Sequence, residues 1–151
     1  MLISLLQLID DTEKMRKYLF WYWIITPAAI FAWIMLGAGN AGTDLRGTLN
    51  NPFFAVAFLH ACWTLLMAGL LKLAGSENES TERTFALYAL IMELVTGNII
   101  GASLSFFLFR SLRFTEREEF APKYRWILVA AMVFMFLVAG MILTANISLF
   151  A

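Results

Sequence analysis

Glu93 is the residue best placed to do chemistry in this sequence, because it is an ionisable side chain within a long apolar stretch. It lies in FALYALIMELVTGNIIGASLSFFLF, residues 85–109. A charged side chain in a bilayer costs about 3 kcal/mol or more, so an intramembrane carboxylate is a functional candidate by default. The functional interpretation is a proton or cation relay, or a polar-ligand site. The structural interpretation is a single hydrogen bond between helices.

The depth of Glu93 indicates which groups it can reach. At about 1.5 Å of rise per residue, Pro27 and Thr64 come out at nearly the same membrane level in neighbouring antiparallel helices. Pro27 is expected to kink its helix and to leave the carbonyl of Trp23 without its helical partner. We therefore expect a protonated Glu93 to donate a hydrogen bond to that carbonyl or to Thr64.

His60 and Asn98 complete the candidate residues for an ion, a proton or a polar ligand. They also come out at similar depths, so they are expected to form a hydrogen bond if their helix faces meet. His60 is the sole histidine and Cys62 the sole cysteine, too few ligands for a zinc site even with Glu93. The sequence contains no Ser/His/Asp set and no phosphate-binding motif, so it predicts no catalytic or metal-binding residue. It favours a protein that is not an enzyme, and it identifies no cofactor.

Small residues recur every fourth position around Glu93. Gly97 and Gly101 form a GxxxG motif, which Ala89 and Ser105 extend at the same spacing. Side chains four apart share one helix face, and glycines on that face let a second helix approach closely. The spacing predicts a packing ridge. Two other small-residue faces in the chain are candidates to pack against it, namely Gly140/Thr144/Ser148 and Ala57/Ala61/Thr64/Ala68.

Composition identifies the elements that hold these residues. The chain has 151 residues, 61% of them hydrophobic, and its mean hydropathy is +0.75. Its charges lie in short segments between long apolar runs, which is typical of a membrane protein. The sequence predicts an all-α membrane protein, a single domain over residues 1–151. Its expected elements are an interfacial amphipathic helix at 2–17 and a bundle of four spans at about 18–37, 52–74, 85–109 and 126–149.

Four spans place the two termini on one side of the membrane, and basic residues then divide almost evenly. Five lie on the side of the termini (Lys14, Arg16, Lys17, Lys72 and Arg83) and six on the other (Arg46, Arg110, Arg113, Arg117, Lys123 and Arg125). With these counts the positive-inside rule gives almost no preference between the two orientations. The first helix favours an N-terminus inside and the basic loop at 110–125 favours the reverse, and we expect the N-terminus inside.

Three functions remain open from the sequence. The first is a non-catalytic subunit that packs with other membrane subunits or with copies of itself. The second is an ion- or proton-coupled channel or transporter that uses Glu93. The third is a membrane redox subunit associated with lipid or quinone. No basic block indicates a nucleic-acid partner.

Overall fold

A computed structural model describes residues 11–42, 44–113 and 122–150. Within these ranges the protein consists of helices joined by short links, with no strand. The helices are α1 (Thr12–Ala41), α2 (Leu45–Leu49), α3 (Pro52–Glu77), α4 (Glu79–Val95), α5 (Ile99–Ser111) and α6 (Pro122–Phe150).

The helix ends follow local capping chemistry. The side chain of Asp11 accepts a hydrogen bond from the backbone N–H of Lys14 and so caps the first turn of α1. Hydrogen bonds from Lys14 also hold the pKa of Asp11 below its usual value. Gly42 ends α1 in the left-handed region, at φ 62°. Pro52 opens α3, where the second span was expected to begin.

Three helices are long and apolar enough to cross a membrane, which is compatible with the predicted membrane protein. These segments are Thr12–Asn40, Pro52–Ser76 and Trp126–Leu149. α1 continues through Pro27, so the proline does not end the helix and the expected kink stays a prediction. Of the expected interfacial helix at 2–17, residues 1–10 lie outside the described ranges. Thr12 to Lys17 belong to α1 itself.

The expected third span is wrong as a single helix. α4 ends at Val95 and α5 begins at Ile99. The guanidinium of Arg83 lies over the ring of Phe109, 5.1 Å from its centroid. In one continuous helix these residues would be about 39 Å apart. The segment is therefore an antiparallel hairpin, α4–α5, and the four-span bundle is not confirmed.

The hairpin packs against α1, α3 and α6. Arg16 of α1 forms an ion pair with the buried Glu82 near the start of α4. On the other side of the hairpin, the hydroxyl of Tyr88 donates to the backbone carbonyl of Met132 in α6 at 2.6 Å. The backbones of α1 and α6 do not come together within the described ranges. The hairpin thus occupies part of the space between them, with α3 beside it.

Candidate functional site at the hairpin tip

The hairpin tip, Thr96-Gly97-Asn98, is built from a helix stop followed at once by a helix start. Gly97 has φ 81°, a left-handed conformation that favours glycine. Its N–H donates to the carbonyl of Leu94 at 3.1 Å, and the N–H of Asn98 donates to the carbonyl of Glu93 at 2.8 Å. The side chain of Asn98 then accepts from the N–H of Gly101 at 3.1 Å and caps α5. The chain therefore reverses in three residues with these backbone groups paired.

Glu93 lies immediately inside this tip and is 0% exposed. Its Oε1 accepts a hydrogen bond from Nε1 of Trp23 at 2.6 Å. Its Oε2 is buried and makes no hydrogen bond of standard geometry to the described residues, and the side-chain amide of Asn98 lies beside the carboxylate. Buried polar atoms are almost always paired, because an unpaired one loses its bonds to water without replacement. This oxygen is the strongest indication of a functional group at the site.

Adjacent residues of α1 hold the two sides of the tip. Trp23 donates to Glu93, and the hydroxyl of Tyr22 donates to Oδ1 of Asn98 at 2.6 Å. Trp23 is also fully buried, and its ring meets that of Phe85 edge to face at 6.3 Å. These contacts join the end of α4 and the start of α5 to one turn of α1.

Glu93 has a different hydrogen bond from the two that the sequence predicted. Its partner is Trp23, but the indole N–H of that residue donates to the carboxyl group, and the backbone carbonyl is not involved. The hydroxyl of Thr64 donates to the carbonyl of His60 in its own helix at 2.6 Å. Thr64 is therefore a buried residue of α3 that satisfies itself locally.

His60 and Asn98, expected to meet, have separate partners. Asn98 accepts from Tyr22 and caps α5, whereas the ring of His60 lies 5.8 Å from the ring of Trp63. Of the four polar candidates, the fold brings Glu93 and Asn98 together at the tip. Thr64 and His60 lie on α3, and the contacts described for them are made within that helix.

The row of small residues folds back on itself at Gly97. A Cβ on Gly101 would lie 2.6 Å from Oε2 of Glu93, so this glycine faces the carboxylate. The antiparallel register then places Ser105 level with Ala89, and both are 0% exposed. The predicted single ridge is in fact two short faces packed within one hairpin.

The other predicted faces differ from each other. On α3, Ala61, Thr64 and Ala68 are buried, consistent with close packing. On α6, a Cβ on Gly140 would have no atom within 4 Å, and Thr144 is exposed. The α6 stripe therefore packs against nothing in this chain's described ranges.

Sequence reasoning missed the roles of the Tyr22 and Trp23 side chains. The available signal was the tripeptide Thr96-Gly97-Asn98, since Gly after a helix and Asn before one are stop and start signals. With a hairpin in place, the buried carboxylate requires a donor from a neighbouring helix, and α1 supplies it.

No cluster of three or more His, Cys, Asp or Glu residues suited to a metal ion occurs in the part of the chain that the structure describes. No protein family, curated protein or solved structure matches this chain.

Proposed function

We propose that this protein is a small non-catalytic subunit of a larger membrane assembly, and that its hairpin tip lies against a neighbouring chain. The observation that carries the proposal is the exposure of non-helical backbone at Gly97 on the isolated chain. The large side chains around it, Leu94, Ile99 and Ile100, are 58%, 73% and 63% exposed.

The depth of the tip makes this exposure significant. The Arg16–Glu82 ion pair marks the end of the bundle where the hairpin enters. Helical rise puts Trp23 about 10 Å beyond Arg16, and Glu93 about 16 Å beyond Glu82. In a hydrocarbon core of about 30 Å, the tip therefore reaches the middle third.

Non-helical backbone at that depth is tolerated only where protein or water covers it, because lipid tails offer no hydrogen bonds. Within one chain, α1 covers a single side of the tip through Tyr22 and Trp23. A second copy or a foreign subunit on the exposed side would supply the missing cover.

Photo-crosslinking from the tip tests this proposal. Benzoylphenylalanine replaces Ile100 at the tip or, as the matched control, Phe136, which is 58% exposed on α6. We expect protein adducts from position 100, either to a copy or to a co-purifying subunit, and lipid adducts from position 136. Lipid adducts alone at both positions, with a native mass equal to that of one chain, would contradict the proposal.

The hairpin also bears on the proposed side assignment. Because α4 and α5 enter and leave on one side, the N-terminus shares its side with both hairpin ends and with the start of α6. Among the described residues, nine basic residues lie toward that side (Lys14, Arg16, Lys17, Lys72, Arg83, Arg110, Arg113, Lys123 and Arg125). Arg46 is alone on the opposite side. The positive-inside rule then favours an N-terminus inside and a C-terminus outside.

A second candidate function is proton or cation transfer through Glu93. The observation that favours it is Oε2, which is buried beside a helix break and makes no hydrogen bond of standard geometry to the described residues. Discontinuous helices at mid-membrane supply ion sites in transporters, where backbone and side-chain groups freed from helices bind the ion. A proton, or a cation from the uncovered side of the tip, would satisfy the carboxylate.

Flux into vesicles separates this candidate from the first. Purified protein is reconstituted with a pH-sensitive dye inside, and a potential is imposed across the membrane. Proton-coupled function predicts flux that is lost in Glu93→Gln and retained in Glu13→Gln, whose exposed carboxylate pairs with Lys17 at 2.7 Å. Wild-type flux equal to that of empty vesicles would contradict it.

A further inference from the structure

A space that the proposed function does not explain lies between α1, α3 and α6. It is a cavity of about 320 Å³, and its lining includes Trp33, Phe53, His60, Ile142 and Asn146. Trp33 and Phe53 pack edge to face, with ring centroids 5.6 Å apart. Every lining residue except His60 and Asn146 is apolar or aromatic.

The hairpin explains why this cavity exists. α1 and α6 do not come together within the described ranges, and α4–α5 separates them only down to the level of Trp23. The cavity-lining face of α3 continues, at helical spacing, into the buried residues Ala61, Thr64 and Ala68 beside the hairpin. The cavity is therefore the part of the space between α1 and α6 into which the hairpin does not extend.

Two polar side chains, His60 and Asn146, line this apolar space. Neither His60 nor Asn146 has a side-chain hydrogen bond to the residues that the structure describes. Both carry N–H donors, and an acyl chain would leave that of His60 unpaired at a depth where unpaired donors are costly. His60 lies about 12 Å from the start of α3, too deep for a phosphate headgroup to reach at the surface.

We infer that this cavity binds a membrane-soluble quinone. The ring carbonyls accept hydrogen bonds from His60 and Asn146, the ring lies against Trp33 and Phe53, and the hydrophobic tail leaves the cavity toward lipid. A few convergent polar groups in a mainly apolar concavity are characteristic of small-molecule sites. The inference concerns binding alone and does not depend on the proposed assembly.

Titration with a short-chain benzoquinone tests the inference. The full-length protein is held in phosphatidylcholine nanodiscs, and quenching of tryptophan fluorescence is followed against quinone concentration. We expect a saturable component in wild type whose amplitude falls in Trp33→Phe. The double variant His60→Leu/Asn146→Leu should bind at least about tenfold more weakly, as the loss of two hydrogen bonds requires.

Thr144→Val is the matched control, because it removes a hydroxyl from the exposed face of the same helix. It should bind as wild type does. If the double variant loses its fold, His60→Gln provides the readout, since it retains a donor and should keep binding within about threefold of wild type. Quenching that rises linearly with quinone concentration, and equally in all variants, would overturn the inference. The cavity would then be filled by lipid chains or by another protein.

Discussion

Glu93 and Gly101 share one space between α4 and α5, since a Cβ on Gly101 would lie 2.6 Å from Oε2 of Glu93 and 2.7 Å from Cδ. A side chain at position 101 would therefore displace the carboxylate of Glu93 and the amide of Asn98, which hydrogen bonds to Trp23 and Tyr22 hold in place. The carboxylate of Glu93 fits between α4 and α5 because the residue opposite it, Gly101, has no side chain. The hairpin closes around Glu93, and Trp23 then reaches the carboxylate from α1.

Gly101→Ala should destabilise the protein by about 1–3 kcal/mol, the usual cost of overpacking a buried site. We expect a lower thermal midpoint in detergent, followed by circular dichroism. Gly140→Ala is the control, because a Cβ there meets no atom within 4 Å and helix propensity improves. In a Glu93→Ala background the cost of Gly101→Ala should shrink. An unchanged cost would show that the carboxylate is not the obstacle.

Trp23→Phe should destabilise the protein by about 1 kcal/mol more than Trp63→Phe. Both tryptophans are buried, and each indole donates one hydrogen bond, Trp23 to Glu93 and Trp63 to the backbone carbonyl of Met135. A helical carbonyl keeps its partner within the helix, whereas Oε1 of Glu93 would lose the indole donor that reaches it from α1. Chemical denaturation of the two variants in the same micelle provides the comparison. Equal losses of stability in the two variants would show that the Trp23–Glu93 hydrogen bond stabilises the fold no more than the Trp63–Met135 hydrogen bond does.

Gly97→Ala should cost about 1–2 kcal/mol, because an alanine is strained at a φ of 81°. Gly97→Asn should cost less, since asparagine tolerates the left-handed region better than other residues. Gly69→Ala, in the interior of α3 with open space around a Cβ, is the control and should be neutral or stabilising. Thermal midpoints of the three variants give the order. If Gly97→Ala matched Gly69→Ala, the tip would not be a strained turn.

Cysteine labelling should place the two ends of the hairpin on one face of the membrane. In a Cys62→Ser background, Ser76→Cys before α4 and Ser111→Cys at the end of α5 should react with an impermeant maleimide from the same side. Asn50→Cys, in the link between α2 and α3, should react from the other side. Intact and permeabilised vesicles give the measurement. Labelling of positions 76 and 111 from opposite sides would restore a single continuous span.

Much of the architecture could be predicted from local sequence. The apolar lengths identify the segments of α1, α3 and α6, and Pro52 marks the start of α3. These features depend on the hydrophobicity and backbone constraints of neighbouring residues, so a sequence read in order contains them. The same reading singled out Glu93, because a carboxylate in an apolar run is costly wherever the helices lie.

The path of the chain between Glu93 and Gly101 was decided by tertiary structure. A spacing of four between small residues predicts a packing face in a continuous helix, and it equally permits two short faces that close on each other. Thr96-Gly97-Asn98 contained the turn signal, but 25 apolar residues are also enough for one span. The choice depends on contacts distant in sequence, Arg16 with Glu82 and Trp23 with Glu93, which form only when α1 packs beside the hairpin. Sequence order alone contains neither contact, because each joins residues more than sixty positions apart.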